Sequence, residues 1–151
     1  TLNASRVDAV AEIHRVTQRK DELTMFGTPV SGVDHAFDCI GVVKTMQQIL
    51  MACRTGSFGW KSGGTAVLVG VPTQELTLPP IEILLHEKKY IGSIGGSCVP
   101  DRDFPVFLDW HASKQLDLDA LVTARFPIEK INDATHALES GQIFGRAILT
   151  F

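Results

Sequence analysis

The sequence predicts an α/β protein with a doubly wound, mostly parallel sheet, and three observations carry that expectation. Helix-like and strand-like patterns alternate from end to end, the order that lays helices on both faces of one sheet. The clearest strand, Ala66-Val67-Leu68-Val69, is a continuous apolar run, as in a strand covered on both faces. It stops abruptly at Gly70-Val71-Pro72, where glycine leaves room for a close ligand and proline cannot extend the ladder. Ligands of open α/β sheets sit where such strands stop. The run alone also fits any buried strand followed by a turn.

The elements follow in order. Ser5-Arg-Val-Asp8 fits the capping-box pattern, and Val7, Val10, Ile13 and Val16 recur every third residue, so a helix is expected over 5–19. Residues 20–31, with Gly27 and Pro29, have no periodicity. Residues 33–41 read as a strand entering a glycine turn. A helix is expected over 43–53, with Met46, Ile49, Leu50 and Cys53 on one side. Residues 55–64 form a glycine-rich loop into the strand over 63–72, and their Phe58 and Trp60 are expected to cover something. Pro79 and Pro80 can start a short helix through Leu85. Tyr90 to Gly96 is expected as a strand whose glycines admit a close approach. Helical spacing marks 104–116, and a short strand is expected over 122–128. Ile131, Ala134, Leu138 and the stop at Gly141 mark a helix, and 146–151 close as a strand.

Length and charge bound the function. The 151 residues fit one domain, 44% hydrophobic and 21% charged, as in ordinary soluble proteins. A formal net charge of -3 gives no electrostatic footprint for nucleic acid or an anionic membrane surface. No apolar run approaches the roughly 20 residues that span a bilayer. No signal-peptide pattern opens the chain, and the cytoplasm is the expected compartment. Thr1-Leu-Asn-Ala4 resembles the tail of a strand, so the chain is expected to be cut from something longer.

Cys39, Cys53 and Cys98 fit neither a disulfide framework nor a CxxC hook; all are expected to be reduced, with Cys39 and Cys53 packed as small hydrophobes. The five histidines are scattered, with no pair three or four apart and no nearby cysteine for zinc. His111, beside Asp109 and Lys114, reads as solvated charge on a helix face. Glu82, His86, Glu87, Lys88 and Lys89 read as a helix end with favourable cations rather than a site. A self-sufficient dinucleotide domain needs G-x-G-x-x-G and an acid about 20 residues on, and neither is present.

Five blocks in order, Ser31-Gly-Val-Asp-His-Ala-Phe-Asp-Cys-Ile-Gly41, Ala66-Val-Leu-Val-Gly-Val-Pro72, Ile91-Gly-Ser-Ile-Gly-Gly96, Phe126-Pro-Ile-Glu-Lys-Ile-Asn-Asp133 and Gly145-Arg-Ala-Ile-Leu-Thr-Phe151, resemble the C-terminal part of zinc-type alcohol dehydrogenases of the medium-chain dehydrogenase/reductase superfamily. The last two blocks are close to the class I and class III group. The resemblance implies that residues 1–151 are the C-terminal part of an NAD-binding Rossmann domain missing its first strands, with no catalytic zinc domain. It implies that Cys39 and Ile40 lie by the adenosine and its ribose, and that Val69, Gly70 and Val71 line the nicotinamide. The Val69 carbonyl would accept from the carboxamide, and the Ser93 carbonyl and Gly95 amide would hold the rest of it. Arg146 would pair with the pyrophosphate, a role that suits an always-charged, bidentate guanidinium, although a solvated strand-edge charge is the plainer alternative.

The strand from Tyr90 to Gly96 resembles the edge through which the family's dimers join their sheets, so a homodimer is expected. The family's zinc ligands, proton-relay residues, Gly-rich loop and ribose-binding acid are missing, and residues 20–29 and 55–61 look longer than its usual connections. The intact enzyme would oxidise alcohols to aldehydes or ketones with NAD and zinc, while this chain alone is expected not to turn over. Two other readings stand beside it. One is a non-catalytic truncated module pairing through an exposed sheet edge, and the other a zinc-free quinone-reductase relative, against which the Arg-Ala-Ile-Leu-Thr-Phe ending argues.

Overall fold

The computed structural model describes residues 1–57 and 61–151, in two compact units, Thr1–Ser97 and Cys98–Phe151. The expected covering role of Phe58 and Trp60 lies outside the described residues.

The first unit opens with α1 (Ala9–Thr17), followed by β1 (Arg19–Leu23), β2 (Pro29–Val30), β3 (His35–Asp38), α2 (Val43–Ala52), β4 (Thr65–Leu68), α3 (Pro80–His86) and β5 (Lys89–Gly92). Helix α1 begins later than the capping box suggests, because Asp8 rather than Ser5 caps it, its carboxylate accepting from the Val10 and Ala11 amides at 3.0 and 3.1 Å. The aperiodic stretch contains an antiparallel ribbon of β1 and β2, closed where the Thr24 amide donates to the Thr28 carbonyl at 2.8 Å. Its Arg-Lys-Asp-Glu-Leu strand has no apolar alternation, so no periodicity marks it.

Strands β3, β4 and β5 form a parallel sheet in that order, with Ala36, Ala66 and Tyr90 paired in one row. That row faces α2, where Ile49, Leu50 and Cys53 complete the core. Tyr90 also donates its hydroxyl to the Met46 carbonyl at 3.2 Å. The neighbouring row, Phe37, Val67 and Ile91, points to the opposite face by the strand alternation, and there Phe37 is exposed. Val67 in the same row is buried, so β4 is covered on both faces as expected, while its neighbours Phe37 and Ile91 lie open.

One side chain departs from expectation. Cys53 is buried, as expected, but Cys39 is exposed, since it follows the last paired residue of β3 instead of lying within the strand. Lys88, expected as a helix-end cation, is also buried: its side chain is 1% exposed, with Nζ donating to Glu82 Oε2 at 2.8 Å and to the Leu50 carbonyl at 3.2 Å. Strand β5 is shorter than predicted because Gly95, Gly96 and Ser97 turn the chain at φ of 54°, 72° and 55°.

The second unit holds α4 (Pro100–Ala112), β6 (Val122–Pro127), α5 (Ile131–Glu139) and β7 (Arg146–Thr150). Strands β6 and β7 pair in parallel, and α5 packs on both. Helix α4 starts ahead of its expected position, with Pro100 in its first turn and Pro105 inside it, which removes one backbone hydrogen bond. His111 is half-buried rather than a free surface charge, its Nδ1 accepting from the Leu118 amide at 3.3 Å.

Candidate functional site

The three parallel strands of the first unit end at one level. Asp38, Leu68 and Gly92 form the last paired row, so Cys39, Val69 and Ser93 are the first residues beyond it on the carboxyl rim. That rim is where open α/β sheets bind ligands. The sequence-named residues Cys39, Ile40, Val69, Gly70, Val71, Ser93 and Gly95 all fall in the three turns that leave it.

The first two turns interlock through glycines. At Gly41 the chain adopts φ +87°, and an added Cβ would stand 2.3 Å from the Val71 carbonyl oxygen. An added Cβ at Gly70 would stand 2.4 Å from the Gly41 nitrogen. Backbone therefore lies against backbone, a closeness no other residue permits. Beside this contact Ile40 and Val71 are 66% and 80% exposed, leaving an apolar wall at the sheet end.

Asp38 sits beneath them and is buried. Its Oδ2 accepts from the Gly41 amide at 2.8 Å and Oδ1 from the Ile40 amide at 3.4 Å. Its main-chain carbonyl takes the Val69 and Gly70 amides at 2.9 and 2.8 Å. Sequence reasoning did not single out Asp38, although Asp-x-x-Gly at a strand end is the pattern of a side chain that holds its own turn. Burial, and then the nearby Asp38 carboxylate, push the Tyr90 phenol above its usual range.

Among the described residues the Val69 carbonyl accepts no turn or loop backbone hydrogen bond, which leaves an acceptor on the wall. The third turn begins with the Ser93 amide donating to the Leu68 carbonyl at 2.9 Å, tying it to β4. Gly95 is exposed at its left-handed crest. Arg146 belongs to the second unit, exposed at the first residue of β7, opposite Val122. Among the described residues no three His, Cys, Asp or Glu side chains gather as a metal site, so zinc finds no ligand set there.

An open parallel α/β sheet with a built carboxyl rim defines the class as a Rossmann-like α/β domain. The zinc-binding dehydrogenase family profile matches residues 1–113, and the chain belongs to that family. It is 28% identical over 152 residues to alcohol dehydrogenase class-3 of Cereibacter sphaeroides, covering 99% of this chain and 37% of the relative. An alcohol dehydrogenase zinc-binding domain protein from Burkholderia ambifaria superposes with TM-score 0.76 at 27% identity, over 99% of this chain and 35% of that one. A zinc-binding dehydrogenase from Sinorhizobium meliloti 1021, solved with NADP bound, superposes with TM-score 0.65 at 23% identity, over 89% of this chain and 34% of that one. The chain thus spans little more than a third of the length of its relatives.

Proposed function

We propose that residues 1–151 are the C-terminal part of the Rossmann domain of an NAD-linked, zinc-type alcohol dehydrogenase that oxidises alcohols to aldehydes or ketones. The carrying observation is the level ending of β3, β4 and β5, which sets Cys39, Val69 and Ser93 side by side past the last paired row. The NADP held by the Sinorhizobium meliloti relative supports a nicotinamide cofactor. NAD is the form proposed here.

When bound, the nicotinamide supplies the carbon that accepts hydride. The chain's own residues hold and orient it. Val69, Gly70 and Val71 present an apolar wall to the ring, and the Val69 carbonyl accepts from its carboxamide. The Ser93 carbonyl and the Gly95 amide hold the rest of that group. Cys39 and Ile40 would lie by the adenosine and its ribose, and Arg146 is assigned to the pyrophosphate by the resemblance alone. No step is assigned to zinc, since the described residues gather no ligands for it.

Isothermal titration of the full chain with NAD tests the reading. Submillimolar binding that weakens in Arg146→Ala is expected, whereas no binding at millimolar NAD would refute it and favour the non-catalytic module. The chain alone is expected not to oxidise ethanol with added zinc. A homodimer through the outer edge of β5 also fits, since β4 pairs only one side of that strand. Light scattering that showed only monomer at micromolar concentration would remove it. The cytoplasm is the proposed compartment, in keeping with three free cysteines.

A further inference from the structure

We propose that Asp38 is the positioning residue of the rim, the group that fixes where the nicotinamide wall stands. The assignment rests on the nicotinamide reading above. A carboxylate is costly to bury unless its charge is met, and Asp38 is 2% exposed with no cation within salt-bridge distance among the described residues. Backbone amides meet the charge instead, through the 2.8 Å bond from Gly41 and the longer one from Ile40.

The consequence reaches the second turn. Gly41 lies so close to Val71 and Gly70 that a shift of the Gly41 backbone must move them too. The main-chain carbonyl of the same residue holds the Val69 and Gly70 amides. One buried residue therefore sets both halves of a rim whose Ile40 and Val71 side chains are themselves open to solvent. It touches neither ring nor ribose and acts through the turns.

The test is NADH titration of the full chain and of Asp38→Asn, with melting temperatures and amide NMR spectra of both. The variant keeps the side-chain volume while removing the charge. NADH affinity is expected to fall about ten-fold, the scale of one lost charge-assisted hydrogen bond. Amide shifts are expected to change at residues 40–41 and 69–71 even without NADH. A lower melting temperature with unchanged affinity would mean a merely structural role and overturn the assignment. Hydrogen exchange of the Gly41 amide in the unsubstituted chain is a second measurement, independent of whether the variant folds. Protection is expected, and free exchange overturns the assignment. If the unsubstituted chain binds no NADH, the nicotinamide reading fails and the assignment with it; normal binding by both proteins sinks the assignment alone.

Discussion

Gly70→Ala is the sharpest perturbation of the rim, because it adds one methyl group where there is no room. The new Cβ would meet the Gly41 nitrogen at 2.4 Å and the Ile40 carbonyl carbon and nitrogen at 2.6 Å, all of them backbone atoms. A flexible side chain could swing away from such a contact, but a backbone pinned by the Asp38 carboxylate cannot. Overpacking costs about 1–3 kcal/mol, and rigid neighbours put this site at the upper end. For a chain of this length about 1 kcal/mol shifts Tm by about 3 °C, so a fall of about 6–9 °C is expected by calorimetry. Gly92→Ala is the control: its added Cβ meets nothing within 4 Å, and its Tm is expected to stay within about 2 °C of the parent. Equal melting of the two variants would refute the interlocked-turn geometry. NAD affinity is expected to fall with Gly70→Ala and to hold with the control.

Lys88→Met keeps the apolar stem but strips the ammonium from Glu82 and from the Leu50 carbonyl. Breaking a buried pair on one side costs about 3–5 kcal/mol, and the 21% exposure of Glu82 sets the lower end here, read by urea unfolding. Lys88→Met with Glu82→Gln is expected to recover part of the loss; full stability in Lys88→Met alone would contradict a buried pair. His86 gives the pH dependence. Burial disfavours its imidazolium and lowers its pKa below the usual 6.5, against a smaller opposing pull from Glu82. Its Nδ1 is buried without a partner among the described residues. The unfolded chain therefore binds the proton more readily, so this contribution to stability is complete above the unfolded value and is lost as pH falls from there through the lower folded value. Tm is expected to drop between pH 7.5 and 5.5, and less so in His86→Leu. Parallel profiles for the two proteins would rule His86 out as the source.

Strand β4 was legible twice over, as an apolar run and as a glycine stop, and β3 through the glycine turn it runs into. Their carboxyl ends carry Cys39, Ile40 and residues 69–71, the positions that the resemblance named. The ribbon of β1 and β2 was not legible. Residues 19–23 carry four charged side chains, and a surface ribbon needs no apolar face to form its two-strand ladder. The burial of Lys88 was not legible, because only the fold brings Leu50 and Glu82 around its ammonium. Arg146 was named through resemblance alone, since a single exposed arginine at the start of a strand has no local signature.

Asp38 shows why a rim of this kind hides its most informative residue. The rim's proposed polar contacts are backbone groups: the Val69 and Ser93 carbonyls and the Gly95 amide. Their placement is decided by what holds the backbone. Reading for acids, bases and nucleophiles therefore passes over the rim, and reading for glycines finds its edges. The holding is done one residue earlier, by a carboxylate that among the described residues meets no cation and takes two backbone amides. In an apolar strand end such a carboxylate costs stability unless every bond it makes is needed. A buried Asp two or three residues ahead of a left-handed glycine, with a second glycine pressed against that turn, is accordingly a signature of a positioned backbone rim.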